Sequence, residues 1–291
     1  MSVSKTPSAM PLESESSGGH AVVEVMQSSS LLASLTNLTL EDDKAPHFVD
    51  TESKIATLVG RLQGLPTKPP SLYIDLEGVN LSRHGSISII QIYVLPFEET
   101  YLVDIHSLQE KAFSQTASDK SQTLLGILES PDTPKVFFDV RNDSDALFSH
   151  FNVKLAGVID LQLMELATRY FPRKYVNGLG KCIERDARLT TYETRLWKAS
   201  KEKGLKLFAP ERGGSYDVFN VRPLSEDIKE YCVQDVQYLP RLWVQYHRKI
   251  SPSWARKVIT ESTNRVKLSQ TATYDGSGKW KALAPLGWQY M

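Results

Sequence analysis

The sequence predicts an α/β domain with a mixed central sheet, part antiparallel meander and part parallel βα units, flanked by helices. Three observations carry this. Apolar runs at 71–77, 86–94 and 100–105 are linked by short polar, Gly-containing turns, as in an antiparallel meander. From Thr123 onward, strand-like and helix-like stretches alternate, which implies parallel pairing. Between and after them run stretches with apolar residues at helical spacing, each with one face to cover the sheet.

Taken in order, residues 1–48 are rich in Ser, Thr and Glu, with only short apolar pieces such as Val22-Val23 and Leu31-Leu32, and read as a disordered or loosely attached tail. The domain proper is expected over 49–250. It opens with a helix carrying Ile55, Leu58, Val59 and Leu62, with Thr51 or Ser53 as N-cap, closed by Pro66, Pro69 and Pro70. After the meander come a helix from Thr123, a strand Lys135–Asp139, a helix from Asn142 to Phe151, a strand Gly157–Asp160 and a helix from Leu161. Helices near 180–186 and 190–203 follow, then a loop with Gly213-Gly214. A long helix is capped by Ser225, with Glu226 and Asp227 in its first turn, and Pro240 kinks it. Residues 251–291 are expected to form a last helix and a tail packed on or beside the domain.

Composition is that of a soluble globular protein, with 41% hydrophobic and 23% charged residues among 291. No apolar run approaches the ~20 residues that span a bilayer. With no signal-peptide pattern and two separated cysteines, Cys182 and Cys232, the chain reads as intracellular, cytoplasmic or nuclear. Its 34 basic and 34 acidic residues cancel, so a polyanionic partner would need a local patch or a metal for attraction.

Chemistry concentrates in three places. In Ser71-Leu72-Tyr73-Ile74-Asp75-Leu76-Glu77-Gly78 a strand delivers two carboxylates, Asp75 and Glu77, to one side, because side chains alternate with a period of two. Like charges held so close repel unless a cation lies between them, and oxygen donors of this kind suit Mg²⁺ or Mn²⁺. After the strand at Val136, Asp143 lies in the opening turn of a helix, at the sheet edge where ligands bind in parallel units. Tyr231 and Asp235 are four apart on the long helix and share a face with Leu224, Ile228 and Leu239, so they point toward the sheet. Taken alone, each has a plainer reading: a strand end, a helix start, a Tyr–Asp hydrogen bond in a helix core.

In this order and at these separations, Asp75-x-Glu77, Asp143 and Tyr231-x-x-x-Asp235 resemble the three motifs of the DEDD exonucleases, and more narrowly the tyrosine-bearing ribonuclease D-like 3′–5′ exonuclease domain. Gly78, Ile89-Ile90-Gln91-Ile92, Val158-Ile159-Asp160, Arg222-Pro223-Leu224 and Asp235-Val236-Gln237-Tyr238-Leu239 support the match over roughly 50–250. Phe208-Ala209-Pro210-Glu211 and Gly213-Gly214-Ser215-Tyr216 are similar to a eukaryotic exonuclease 3′–5′ domain-containing branch, some members of which have lost acids and serve as RNA-binding scaffolds.

The resemblance implies a ribonuclease H-like fold. It also implies metal-dependent 3′–5′ hydrolysis of single-stranded nucleic acid, RNA before DNA. Asp75, Glu77, Asp143 and Asp235 would hold two divalent ions, Mg²⁺ or Mn²⁺, about 4 Å apart, with Tyr231 positioning the attacking water. A catalytically idle nucleic-acid-binding adaptor in an RNA-processing complex is the alternative from another class. Two departures stand out. Phe138 occupies a position where many ribonuclease D relatives carry His, and the residues after Ile250 are too few for the helical RNA-binding domain of some members.

The remaining candidates have two readings each. Lys198, Lys201, Lys206 and Arg212, with Lys203, form a basic run interrupted by Glu202 and Glu211; it is either a solvated face or a contact for the nucleic-acid backbone. Gly213 and Gly214 either admit a phosphate or make a turn. Asp160 is read as an N-cap and His84 as a solvated loop residue. Arg256, Lys257, Arg265 and Lys267 form a second, weaker basic group. Among Asp139, Asp143 and Asp145, helix phase selects Asp143: it shares a stripe with Leu147 and Phe151, whereas Asp145 lies about 200° around and is expected to face away.

Overall fold

The computed structural model describes residues 45–117, 119, 122–170 and 172–290, together with Met1. Almost all of the expected N-terminal tail, with its Val22-Val23 and Leu31-Leu32 pieces, lies outside the described residues. The sheet begins earlier than expected, however. The first strand, β1 (His47–Val49), straddles the boundary drawn after residue 48. It is followed by α1 (Glu52–Leu62), whose N-cap Thr51 accepts from Lys54 N–H. The meander is β2 (Leu72–Glu77), β3 (Ile89–Val94) and β4 (Glu99–Asp104). After two single-turn helices come α2 (Leu124–Glu129), β5 (Lys135–Phe137), α3 (Arg141–Phe151), β6 (Val158–Asp160) and α4 (Leu161–Thr168). Then α5 (Leu179–Asp186), α6 (Thr191–Phe208), α7 (Glu226–Gln237), α8 (Leu239–His247) and α9 (Pro252–Ser269) complete the α-helices among the described residues. Pro240 does not bend one helix; it lies in the first turn of a second, where a missing N–H costs nothing, and Tyr238 joins the two.

The six strands are ordered β1-β4-β3-β2-β5-β6. Pairing is antiparallel within the meander and parallel for β1 on β4, β5 on β2 and β6 on β5. This is the mixed α/β sheet that the sequence predicts. Alternation then sorts the side chains of β2. Leu72, Ile74 and Leu76 enter one core, with Ile90, Ile92 and Val94 from β3 and the apolar stripe of α1. Tyr73, Asp75 and Glu77 point to the opposite face, beside their cross-strand partners Tyr93, Gln91 and Ile89. That second face is roofed by α7, whose Ile228, Tyr231 and Cys232 pack on Ile89 and Leu102. Arg222 fastens the approach to α7 by a fork onto Asp104 at the end of β4, and Ser88 Oγ donates to Asn220 Oδ1 at 2.6 Å.

Helix α9 is an integral layer rather than an appendage. It packs on α3, β6 and α4. Its Arg265, expected to be a surface cation, is buried and donates from Nη1 to Asp160 Oδ2 at 2.7 Å.

Candidate active site

Parallel pairing brings the C-terminal ends of β2, β5 and β6 to one edge. The partner of Tyr73 on β5 is Val136, so the chain leaves β5 one residue later, beside Asp75. It turns through Asp139 at φ 62°, a left-handed conformation held from both sides. Asp160 Oδ1 accepts from Asp139 N–H at 3.0 Å, and the Arg141 guanidinium forks onto the Asp139 carboxylate at 2.5 and 2.8 Å. Helix α3 therefore starts at the strand ends. Leu147 and Phe151 face the core, and Asp143, one and two turns before them, is buried at the edge.

Asp75, Glu77 and Asp235 each place a carboxylate oxygen within 4.8 Å of the others. Asp143 lies outside that tightest group but within its field. Loss of hydration pushes the Asp143 carboxyl well above the usual range, and Asp75 and Asp139 add to this. Asp75 is raised from 3.8 to about 7, first by burial and then by Asp235. Glu77 is raised well above its ordinary value by burial, Asp75 and Asp235. The acids are mutually frustrated, and a cation between them would relieve it. The donor set is hard oxygen, which suits Mg²⁺ or Mn²⁺.

A lysine already approaches the cluster. Lys201, from α6, donates from Nζ to Asp235 Oδ1 at 2.8 Å and to Tyr231 Oη at 3.2 Å, with its ammonium 4.5 Å from the Tyr231 ring centroid. Burial lowers its pKa, but Asp235, Glu77 and Asp75 outweigh burial and hold it above the ordinary value. The close approach of α6 depends on Gly204, because a Cβ there would lie 2.4 Å from Tyr231 Cδ2. Tyr231 is buried and its phenol is pushed far up by burial, Asp235 and Glu77, so it is a neutral donor.

The basic run is not one patch. Lys198 pairs with Glu184 at 2.5 Å, and Lys206 and Arg212 both pair with Glu202, at 3.8 and 2.6 Å. Lys201 alone of the run turns to the acids. It also lines an open groove of ≈ 570 Å³ bordered by Gly180, Trp197, Lys198 and Leu205. Gly213 has φ 86° and Gly214 is pressed on the Leu207 carbonyl, 2.4 Å from where a Cβ would be, so the pair closes a turn. Asp160 Oδ1 accepts from Gln162 N–H at 3.0 Å, as an N-cap does. His84 is exposed, and Phe138 is half-buried against the core. Asp145 points away from the acid cluster, as helix phase requires, yet not to solvent: it is buried and accepts from Arg83 N–H at 2.8 Å and Arg83 Nε at 2.7 Å.

Two residues at the site escaped the sequence reading. Gln91, cross-strand from Asp75 and fully buried, has both amide atoms without a partner among the described residues. An apolar strand with one amide at an inward position was the available signal. Lys281 comes from the C-terminal segment, and nothing local foretold its return to α3.

A sequence model of the 3′–5′ exonuclease domain matches residues 46–250. The chain belongs to the 3′–5′ exonuclease family. Solved structures agree at the level of fold. Ribonuclease D of Trypanosoma brucei, in complex with RNA U12, is 21% identical with a TM-score of 0.65, over 91% of this chain and 81% of that one. The catalytic core of RRP6 from the same organism is 17% identical with a TM-score of 0.54, over 86% and 61%. Escherichia coli ribonuclease D, an exoribonuclease involved in structured RNA processing, is 18% identical with a TM-score of 0.54, over 78% and 51%. No curated protein matches the sequence. Among the described residues of this exonuclease-family chain, no helix is long and apolar enough to cross a membrane.

Proposed function

We propose that this chain is a metal-dependent exonuclease that removes nucleotides from the 3′ end of single-stranded RNA. The observation that carries this is the convergence of Asp75, Glu77 and Asp235 within 4.8 Å, one helical turn from the Tyr231 phenol. Asp75, Glu77, Asp143 and Asp235 are the residues that would hold the ions, two by analogy with the family. Divalent ions bound there supply positive charge to the scissile phosphate and acidify a water. Tyr231 keeps its proton and holds the attacking oxygen in line. Water adds to phosphorus and gives up its proton to solvent, and the bond to the 3′-oxygen of the penultimate nucleotide breaks as that oxygen takes up a proton from solvent. A nucleoside 5′-monophosphate departs, and a new 3′-hydroxyl remains. Lys201, which pairs with Asp235 at 2.8 Å, is the cation that ions held by these acids would compete with. The RNA bound by the Trypanosoma brucei ribonuclease D favours RNA as substrate.

One observation favours the second reading, an idle RNA-binding adaptor: the Lys201–Asp235 ion pair partly neutralises the acids with a built-in cation. A 5′-labelled single-stranded RNA with a free or a blocked 3′ end separates the two. The enzyme shortens the free-ended RNA one nucleotide at a time in Mg²⁺ or Mn²⁺ and spares the blocked one. An adaptor binds both and cuts neither.

A further inference from the structure

The C-terminal segment folds back onto the first turn of α3, beyond the residues that the family match covers. Tyr274 Oη and Lys281 Nζ both donate to Asn142 Oδ1, at 2.9 and 2.7 Å, and Arg141 Nη2 donates to the Lys281 carbonyl at 2.9 Å. Asn142 immediately precedes Asp143. The segment thus sets a lysine beside one of the acids while holding Trp280 over Arg141, 5.4 Å from ring centroid to guanidinium carbon. Trp280 keeps 38% of its surface exposed.

Lys281 is badly placed for a structural role. It stands at a helix N-terminus, where the backbone carries partial positive charge and a cation is unfavourable. Arg141 is its neighbour and disfavours its charge, burial does so more strongly, and Asp139 and Asp143 pull the other way. Its one hydrogen-bond partner is a neutral amide oxygen, and it makes no ion pair among the described residues. Asp139 is already forked by Arg141, and Asp143 would be committed to metal. An ammonium with donors to spare then stands beside the site, in the field of Asp139, Asp143 and Asp275 but hydrogen-bonded to none of them.

We propose that segment 274–281 forms a second wall of the substrate site and that Lys281 binds a backbone phosphate of the single-stranded RNA, beside Trp280. The proposal rests on the exonuclease reading and deepens it. The bound strand supplies a hydrogen-bonded anion, which Lys281 lacks, and Trp280 offers a partly exposed side chain to a base.

The test uses the full chain and a 5′-fluorescein single-stranded RNA whose 3′ end is blocked by phosphorothioates, followed by anisotropy in Mg²⁺ across a salt series. Lys281→Met keeps the aliphatic stem and removes the charge. It should weaken binding about tenfold, the scale of one charge-assisted hydrogen bond, and lower the log–log salt slope by ~0.7. Lys281→Arg should keep the affinity. On an unblocked strand, the Lys281→Met defect should appear in KM rather than kcat. Its melting temperature should hold or rise, because an unfavourable buried cation has gone. A Lys281→Met chain with wild-type affinity and slope overturns the proposal, whatever its melting temperature. A wild-type chain that binds no RNA overturns the nuclease reading and this proposal with it. A wild type that binds, beside a Lys281→Met that binds equally, overturns this proposal alone.

Discussion

Asp75 has a carboxyl held at about 7 by burial and by Asp235, against 3.8 ordinarily. The sign of the consequence follows from proton counting. Between these values the folded state binds the proton more tightly than the unfolded state, so metal-free stability falls as pH rises from 3.8 toward about 7. Asp75→Asn should flatten this slope, abolish hydrolysis, and leave the metal-free melting temperature at neutral pH unchanged or higher. A metal-free melt well below wild type would make Asp75 a structural residue instead. Lys201 carries the opposite expectation. Lys201→Met strips the cluster of its built-in cation, so the metal-free protein should lose about 2 kcal/mol, less than a fully buried pair because Lys201 is partly exposed. Its affinity for Mn²⁺, read by calorimetric titration rather than by activity, should rise. Unchanged affinity would mean that the ion pair does not compete with metal.

At the scale of elements, two helices are held at the site by single residues. Helix α3 presents Asp143 to the acids and, two residues on, Asp145 to Arg83. Asp143→Asn should be inactive in Mg²⁺. Asp145→Asn should cleave RNA at room temperature while melting several degrees lower, because Arg83 loses its buried partner. The reverse pattern would place the helix in the wrong phase. Helix α6 lies against Tyr231 only because Gly204 has no side chain. Gly204→Ala should cost about 1–3 kcal/mol by overpacking and slow cleavage by displacing Tyr231 and Lys201 together. A Gly204→Ala enzyme with wild-type melt and rate would show that the contact is slack.

Across the whole molecule, the last helix is part of the site's foundation. Arg265 of α9 bonds Asp160, whose carboxylate also receives Asp139 N–H and Val140 N–H in the turn before Asp143. Arg265→Met takes the paired guanidinium from buried Asp160, at a cost of about 3 kcal/mol. We expect a lower melting temperature and a fall in cleavage rate, since the same carboxylate holds the turn that aims Asp143. Chemical denaturation and initial rates on labelled RNA check the two halves separately. A destabilised variant with full activity at low temperature would detach α9 from the site.

The sequence by itself determined what short-range rules govern. Period two put Asp75 and Glu77 on one face and Leu72, Ile74 and Leu76 on the other. Period 3.6 put Tyr231 with Asp235 and chose Asp143 over Asp145. Ser225 was legible as a cap, and Thr51 as one of two candidates beside Ser53, because a cap's partner lies three residues away. Strand β1 was not legible, since a three-residue segment beside a polar tail becomes a strand only when β4 offers its edge. Likewise, no local pattern shows that Lys201 turns inward while Lys198 turns to Glu184, or that Lys281 and Arg265 return to the strand ends from far along the chain. Those placements depend on which charges the folded chain brings together. For Lys201 and Arg265 burial then makes the pairing costly to break, and only the tertiary structure decides it.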